Sequence, residues 1–158
     1  MSVELTNQKE TGSYYTPPLL ADFMVYHIFD KRNFILPENV SILEPSAGDG
    51  IFFKSILRNE TFSSRPEFTL PQSVKLLAVE REERELEKVK LFTTPLLPSS
   101  YEARFLNTDY LDFHLANKEK FDLIIGNPPY IKSNYLSEDQ TKSCIEIHKQ
   151  SGLSNKKI

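Results

Sequence analysis

Residues 40–50 read Val-Ser-Ile-Leu-Glu-Pro-Ser-Ala-Gly-Asp-Gly, and this stretch decides the fold. Its apolar run, residues 40–43, is typical of a buried strand, and the glycines that follow permit a sharp backbone turn. Residues 51–58 then carry apolar side chains at helical spacing. A strand, a glycine turn and a helix in that order predict the first unit of a parallel sheet.

The same alternation continues on both sides of this stretch. Helices are predicted over residues 19–28, after two prolines, and over residues 81–92. Further strands are predicted at residues 74–79, 103–106 and 121–125, with surface loops near residues 60–73 and 93–100. A last helix, over residues 136–149, is expected to open at Ser137. The pattern predicts one α/β domain, residues 1–158, with helices on both faces of a parallel sheet.

The composition excludes several classes of protein. The chain has 158 residues, 39% of them hydrophobic and 26% charged, as expected of a globular domain. No apolar run approaches the roughly 20 residues of a membrane span, and the polar N-terminus does not resemble a signal peptide. Cys144 is the only cysteine, which excludes an internal disulfide and a cysteine metal cluster. We therefore expect a cytoplasmic protein with no membrane contact and no metal.

The net charge of −3 bears on nucleic-acid binding. Tight non-specific binding to DNA requires many Lys and Arg side chains that neutralise phosphates. The charge therefore argues against strong DNA binding by this chain alone.

The glycine turn brings acidic groups to a predicted ligand site. Glycines let the backbone approach a ligand closely, and in dinucleotide-binding folds the same turn faces a pyrophosphate. Here Glu44 and Asp49 flank the turn, and carboxylates repel a diphosphate but suit ammonium and sulfonium charges. The turn therefore favours S-adenosylmethionine over a nucleotide. A glycine-rich turn that binds nothing is the alternative.

Two further acidic residues follow predicted strands. Glu80 ends the second strand, where open α/β sheets place ligand contacts, and its carboxylate could accept hydrogen bonds from both ribose hydroxyls. Asp109 follows the third strand and could accept from the amino group of an adenine. The alternatives are an acidic first turn of a helix for Glu80 and a turn-forming residue for Asp109.

Asn127-Pro128-Pro129-Tyr130 follows the fourth predicted strand. Two consecutive prolines remove two backbone donors and hold the chain extended. The Asn127 amide oxygen and a neighbouring carbonyl are then available to accept from both N–H groups of an exocyclic amine. Tyr130 offers a face on which a planar base could stack. An ordinary Asn-Pro-Pro turn is the alternative.

These motifs resemble those of the gamma-class DNA adenine-N6 methyltransferases of restriction–modification systems. Asn127-Pro128-Pro129-Tyr130 is similar to their catalytic signature, and Thr11-Gly12-Ser13-Tyr14-Tyr15-Thr16-Pro17 to their upstream cofactor motif. Thr16 is expected to N-cap a helix that begins with Pro17 and Pro18, which would seat the cofactor's carboxylate. The resemblance implies the cofactor-binding residues Tyr15, Thr16, Pro17, Glu44, Pro45, Ala47, Gly48, Gly50, Glu80, Arg81, Asp109, Tyr110 and Asn127.

The resemblance also implies a Rossmann-like methyltransferase fold with strand order 3-2-1-4. The methyl group would pass from S-adenosylmethionine to adenine N6 of double-stranded DNA, with Asn127, Pro128, Pro129 and Tyr130 as the catalytic set and no metal. The family pattern continues beyond this segment with further strands and a target-recognition domain. We therefore expect the chain to be the N-terminal part of such an enzyme and inactive alone. The fourth strand would lie at an exposed edge, which favours self-association or coverage by residues 136–158.

One departure from the family pattern and two alternative interpretations accompany this resemblance. The turn reads Glu-Pro-Ser-Ala-Gly-Asp-Gly where the family often begins with Asp and has Ser or Thr in place of Asp49. The Asn-Pro-Pro-Tyr motif also serves enzymes that methylate RNA or protein glutamine. A non-catalytic cofactor-binding fragment is the third interpretation.

Overall fold

The computed structural model describes residues 15–30, 36–58 and 71–152. Four parallel strands form its sheet in the order β3-β2-β1-β4. They are β1 (Asn39–Pro45), β2 (Ser73–Glu80), β3 (Tyr101–Asn107) and β4 (Leu123–Ile124). The predicted strand order 3-2-1-4 and the parallel sheet are confirmed.

Five α-helices connect or flank these strands in the described residues. They are α1 (Pro18–Phe29), α2 (Ile51–Leu57), α3 (Glu83–Leu96), α4 (Tyr110–Ala116) and α5 (Glu138–Gln150). A short 3-10 helix, Ser133–Tyr135, precedes α5. None of the described helices is long and apolar enough to cross a membrane.

Alternate residues of the strands bury opposite faces of the sheet, as the two-residue period of a strand requires. One face packs against α1, α2 and α3, and its fully buried centre includes Phe53, Ile42 and Leu76. The other face is smaller. There Leu43 and Val79 pack against residues of α4. Helices therefore cover both faces, as predicted, and α5 packs on α4 rather than on the strands.

Three local predictions are corrected. The helix expected to end at residue 92 runs to Leu96, because fully buried Thr93 continues its packed face and Pro95 lies in the last turn, where one lost backbone bond is tolerated. The strand expected over residues 121–125 is only Leu123–Ile124, although Asp122 and Ile125 extend its hydrogen bonding to β1. Helix α4 was not predicted. Residues 60–70 of the loop predicted at 60–73 lie outside the described residues, as do residues 153–158 of the tail.

The predicted cap of α1 is also wrong. Pro17 occupies the N-cap position with ψ 138°, and no side chain caps the helix. A residue that precedes proline disfavours the α-helical backbone conformation. Pro18 therefore keeps Pro17 extended, outside the first turn of the helix. Thr16 lies one residue further out and is buried.

The outer edge of β4 has no neighbouring strand among the described residues. Its Ile124 side chain is 58% exposed, and α5 lies against α4 instead of covering it. An apolar strand with unpaired backbone groups is a template for pairing with another chain. Coverage of the edge by the described part of residues 136–158 is therefore not observed, and self-association stays as the prediction.

We expect the chain to self-associate through β4 and Ile124→Lys to reduce that association, because a lysine on an edge strand opposes pairing. Sedimentation velocity over a range of concentrations measures the effect. Leu91→Lys is the matched control, since Leu91 is a 75% exposed apolar residue on α3. A monomer at every concentration, or equal effects of the two variants, would contradict the prediction.

Candidate active site

The four strands bring their carboxyl ends to one edge of the sheet, and the predicted site residues lie there. Glu80 is in register with Asn107, and Pro45 with Val79. Asn107 donates from its side chain to the carbonyls of Glu80 and Arg81, at 3.0 and 2.8 Å. These bonds hold the ends of β2 and β3 together. The sequence analysis predicts no role for Asn107, although the residue lies two positions before Asp109.

The glycine turn is held against the end of β2. The Ala47 amide donates to the Val79 carbonyl at 2.9 Å, and the Gly48 amide donates to the Glu80 carboxylate at 2.7 Å. The other Glu80 oxygen accepts from the Glu82 amide at 2.8 Å. Glu80 itself is buried, so its charge is directed at the turn rather than at bulk solvent. One carboxylate thus fixes the turn in relation to the second strand.

Both glycines of the turn have positive φ, 55° at Gly48 and 74° at Gly50, which favours glycine. A Cβ on Gly50 would lie 2.9 Å from a methyl group of Val89, so α3 packs directly on the turn. A Cβ on Gly48 would lie 3.6 Å from the ring of Tyr15. Tyr15 therefore covers the turn from the outside, although the residue as a whole is 60% exposed.

Tyr15 also approaches α3. Partial burial and the neighbouring Glu85 carboxylate raise the pKa of the Tyr15 hydroxyl. Glu85 in turn pairs with Lys88 at 2.6 Å. These contacts connect the upstream motif, the glycine turn and α3. Glu85 was missed from the sequence because it reads as one more charge on a solvated helix face.

Glu44 is the least exposed acidic residue in the described chain, at 1%. Burial raises the pKa of Glu44 to about 8, against the opposing effect of the Phe52 and Phe53 amides, which donate to its carboxyl group. Glu44 thereby caps α2, whose own N-cap, Gly50, has no side chain to do so. Its Oε2 atom is buried without a hydrogen-bond partner. An N–H-bearing cation beside the turn would satisfy that atom, so the site suits the expected cofactor.

Asp109 and Tyr110 follow β3 and start α4. The Asp109 carboxylate caps α4 by accepting from the Leu111 amide at 2.8 Å. A guanidinium nitrogen of Arg81 lies 4.0 Å from its other oxygen, which also accepts from Gln140 at 3.1 Å. Tyr110 is half-buried against the smaller apolar cluster, and burial raises the pKa of its hydroxyl. Asp109 and Arg81 therefore face one another, whereas the Tyr110 ring contributes to the core.

The Asn-Pro-Pro-Tyr segment leaves the sheet beside the glycine turn. A Cβ on Gly126 would lie 3.0 Å from the Pro45 carbonyl oxygen and 3.2 Å from the Pro45 ring, so these two segments are in direct contact. Glycine at 126 permits that approach. Asn127 is half-buried, whereas Pro128, Pro129 and Tyr130 are exposed, with Tyr130 at 76%. The segment thus begins against the glycine turn and ends at an exposed aromatic side chain.

The structure therefore brings most of the predicted residues to one edge. The turn residues Pro45, Ala47, Gly48 and Gly50 adjoin Glu80, Asp109 lies beside Arg81, and Asn127 follows the strand next to Pro45. Thr16 and Pro17 lie at the start of α1 next to Tyr15. Residues Thr11-Gly12-Ser13-Tyr14 of the upstream motif lie outside the described residues. No group of three metal-ligating side chains occurs in the part of the chain that the structure describes.

A parallel sheet in the order 3-2-1-4, with acidic groups at the ends of β1 to β3 and an Asn-Pro-Pro-Tyr segment after β4, defines a Rossmann-like methyltransferase domain. The family follows from a direct comparison. The model of the Eco57I restriction-modification methylase family matches residues 46–157, and the chain belongs to that family. The prediction of a restriction–modification methylase is confirmed, and membership of a methylase family supports S-adenosylmethionine as the cofactor.

Named relatives agree with this assignment. The chain is 24% identical over 163 residues to the type II methyltransferase M.BanIII of Aneurinibacillus aneurinilyticus, an alignment that covers 94% of this chain. It is 26% identical over 152 residues to the type II methyltransferase M.BstVI of Geobacillus stearothermophilus, covering 83% of this chain. The chain spans about a quarter of the length of each relative, 27% and 26% respectively.

Solved structures show the same fold. A modification subunit of a putative type I restriction enzyme from Vibrio vulnificus superposes with a TM-score of 0.53 at 20% identity, covering 86% of this chain and 30% of that one. A putative RNA methyltransferase from Pyrococcus horikoshii superposes with a TM-score of 0.52 at 14% identity, covering 87% and 57%. At these identities the likeness concerns the fold alone.

The buried carboxyl group of Glu44 should make stability depend on pH. Its pKa is about 8 in the folded chain and about 4.5 when unfolded, so between these values the folded state binds more protons. The contribution is fully present below pH 4.5 and is lost as pH rises through 8. We expect Glu44→Gln to flatten the fall in unfolding free energy over this range, as measured by urea unfolding.

Glu82→Gln is the control, because it removes the same charge from a side chain that is 65% exposed. It should leave the slope unchanged. Parallel pH curves for Glu44→Gln and the unmodified chain would show that Glu44 is already ionised when buried.

Proposed function

We propose that this chain is the cofactor-binding and catalytic-motif part of a DNA adenine-N6 methyltransferase that uses S-adenosylmethionine. The observation that carries the proposal is the meeting of the glycine turn, Glu80, Asp109 and Asn127 at one edge of the sheet. A sulfonium cofactor needs acidic partners, and an exocyclic amine needs acceptors. Both sets of groups occur at this edge.

Glu80 and Asp109 would hold the two ends of the adenosine. The Glu80 carboxylate accepts one backbone N–H on each oxygen, and each oxygen retains a lone pair for a ribose hydroxyl. Asp109 keeps acceptor capacity for the adenine amino group, with Arg81 and Tyr110 around it. In open α/β sheets ligands bind at this carboxyl edge, where the strand order reverses, here between β1 and β4.

The methionine part would lie between the glycine turn and the start of α1. Glu44 has an unpartnered buried oxygen for an ammonium group, and the Ala47–Gly48 backbone allows close approach. The N-terminus of α1, at Thr16 and Pro17, would attract a carboxylate through the positive end of the helix dipole, although Pro17 and Pro18 have no backbone N–H to donate. Tyr15 would close this part from the solvent side. The cofactor supplies an electrophilic methyl group when bound.

Asn127 and Pro128 would act on the target amine. The Asn127 amide oxygen and the Pro128 carbonyl oxygen are acceptors for its two N–H groups. Accepting both would localise the nitrogen lone pair, which is otherwise delocalised into the ring, and would stabilise the positive charge that develops during transfer. Pro129 keeps the segment extended, and the exposed Tyr130 ring offers a stacking face for a base flipped out of the duplex.

RNA or protein glutamine is the second candidate substrate class, since the same acceptor pair suits any planar amine or amide. The names of the type II relatives favour DNA. Methyl transfer assayed side by side on duplex DNA, RNA and a glutamine peptide would separate these classes. A non-catalytic cofactor-binding module would bind the cofactor and transfer to none of them.

We expect Glu80→Ala to weaken S-adenosylmethionine binding by about 1–3 kcal/mol, the range for hydrogen bonds lost from a charged group. Isothermal titration calorimetry measures the change. Glu82→Ala is the matched control, because it removes a neighbouring exposed carboxylate and keeps the backbone amide that Glu80 accepts from. Unchanged affinity in Glu80→Ala would remove Glu80 from the site.

We further propose that DNA contact and part of the base pocket come from chain beyond this segment in the whole protein. The net charge of −3 provides little phosphate binding, and flipping a base costs a few kcal/mol that contacts must recover. This chain alone should therefore methylate duplex DNA poorly.

The remaining part of a full-length relative, added as a separate chain, should restore transfer, and Asn127→Ala should abolish it again. Incorporation of a labelled methyl group into duplex DNA is the measurement. Asn134→Ala, in the exposed 3-10 helix that follows, is the control and should stay active. Efficient methylation by residues 1–158 alone would contradict the prediction.

A further inference from the structure

The carboxylate of Asp109 is held from two sides by groups on different helices. Its Oδ1 atom accepts from the Leu111 amide of α4 at 2.8 Å. Its Oδ2 atom accepts from the Gln140 side chain of α5 at 3.1 Å, and the Arg81 guanidinium lies 4.0 Å away. The first bond belongs to the cap of α4. The donor of the second bond lies 31 residues further along the chain, so the capping of α4 does not account for it.

Gln140 is itself fixed by the start of α5. Its side-chain oxygen accepts from the backbone amide of Ser137 at 3.1 Å, and its backbone amide donates to the Ser137 hydroxyl at 3.1 Å. These reciprocal bonds form a capping box. Because its oxygen is held by Ser137, the Gln140 side-chain nitrogen is directed at Asp109. Ser143 of the same helix donates to Asp112 at 3.1 Å, which holds α5 against α4 at a second point.

A carboxylate has about four acceptor positions, and the Leu111 amide and Gln140 occupy two of them. The Asp109 side chain cannot rotate freely without breaking one of these bonds. The unused positions are therefore presented in a fixed direction beside the carboxyl ends of β2 and β3, where Glu80 lies.

We propose that Gln140 is a positioning residue that orients Asp109 towards the amino group of the cofactor's adenine. The inference rests on the proposed function, because that assigns the adenine to Asp109. It gives α5 a specific part in cofactor selection. Helix α5 follows the Asn-Pro-Pro-Tyr segment in the chain. Through Gln140, this helix therefore connects that segment to Asp109, the residue proposed to bind the adenine.

Gln140→Glu is the sharpest variant. Glu is the usual partner in a capping box, so its carboxylate still accepts from the Ser137 amide and α5 keeps its cap. The variant removes the N–H donor and sets a second carboxylate against Asp109. Gln150→Glu is the matched control, because it adds the same charge to the same helix, where Gln150 donates to exposed Glu146 at 3.2 Å. Ser137→Ala weakens the cap and keeps the Gln140 amide.

Binding is measured by calorimetry with two ligands, S-adenosylhomocysteine and S-inosylhomocysteine, in which an oxygen replaces the adenine amino group. We expect Gln140→Glu to bind the adenosyl ligand about tenfold more weakly, the scale of one weakened hydrogen bond to a charged group. Binding of the inosyl ligand should change by no more than about twofold, since it lacks the amine that Asp109 accepts from. Both ligands should bind Gln150→Glu and Ser137→Ala as they bind the unmodified chain.

A pH series adds a second readout. As pH falls, two facing carboxyl groups take up a shared proton, which restores a donor between them. The adenosyl affinity of Gln140→Glu should then recover towards that of the unmodified chain. Circular dichroism establishes that each variant is folded before binding is compared.

Two outcomes would overturn the inference while leaving the proposed function intact. They are an unchanged affinity of Gln140→Glu for the adenosyl ligand, and equal weakening of both ligands, which would mean a structural role. If the unmodified chain binds neither ligand or does not prefer the adenosyl form, the assignment of Asp109 within the proposed function fails, and the inference fails with it.

Discussion

The hydrogen bond from the Gly48 amide to the Glu80 carboxylate, at 2.7 Å, is the contact on which the candidate site depends. It joins the end of β2 to the turn that leaves β1, and it directs a buried negative charge at the space above the turn. The same residue accepts from Glu82 at the start of α3, which packs Val89 against Gly50. A fold built on this bond holds the Glu80 carboxylate at the carboxyl edge of the sheet, beside the glycine turn. That arrangement suits a sulfonium cofactor and opposes a diphosphate.

Glu44 combines an observed structural part with the ligand part that we propose for it. Its carboxyl group caps α2 in place of the missing Gly50 side chain, yet burial leaves one oxygen without a partner and raises its pKa to about 8. A buried unpartnered acceptor costs about 1–3 kcal/mol of stability. An ammonium group beside it would offset that cost.

Helix α5 connects the two halves of the candidate site. It begins after the segment from Asn127 to Tyr130, and it holds Asp109 through Gln140 and Asp112 through Ser143. Meanwhile Gly126 allows the start of that segment to touch Pro45 of the glycine turn. The segment from Gly126 to α5 is thus held against the glycine turn at its start and against Asp109 at its end.

The sequence by itself determined the alternation of strands and helices, the glycine turn, and the place of Glu80, Asp109 and Asn127 at strand ends, because these follow from local periodicity and turn chemistry. It also indicated the strand order, through the resemblance to a known family. Three features came from the packing of the folded chain alone: Glu44 is buried, Tyr15 covers Gly48, and Gln140 holds Asp109. The contacts of Tyr15 with Gly48 and of Gln140 with Asp109 join residues more than 30 positions apart in the chain. Local periodicity reports which face of an element is apolar, and it carries no information about the partner that a polar group finds once distant segments pack.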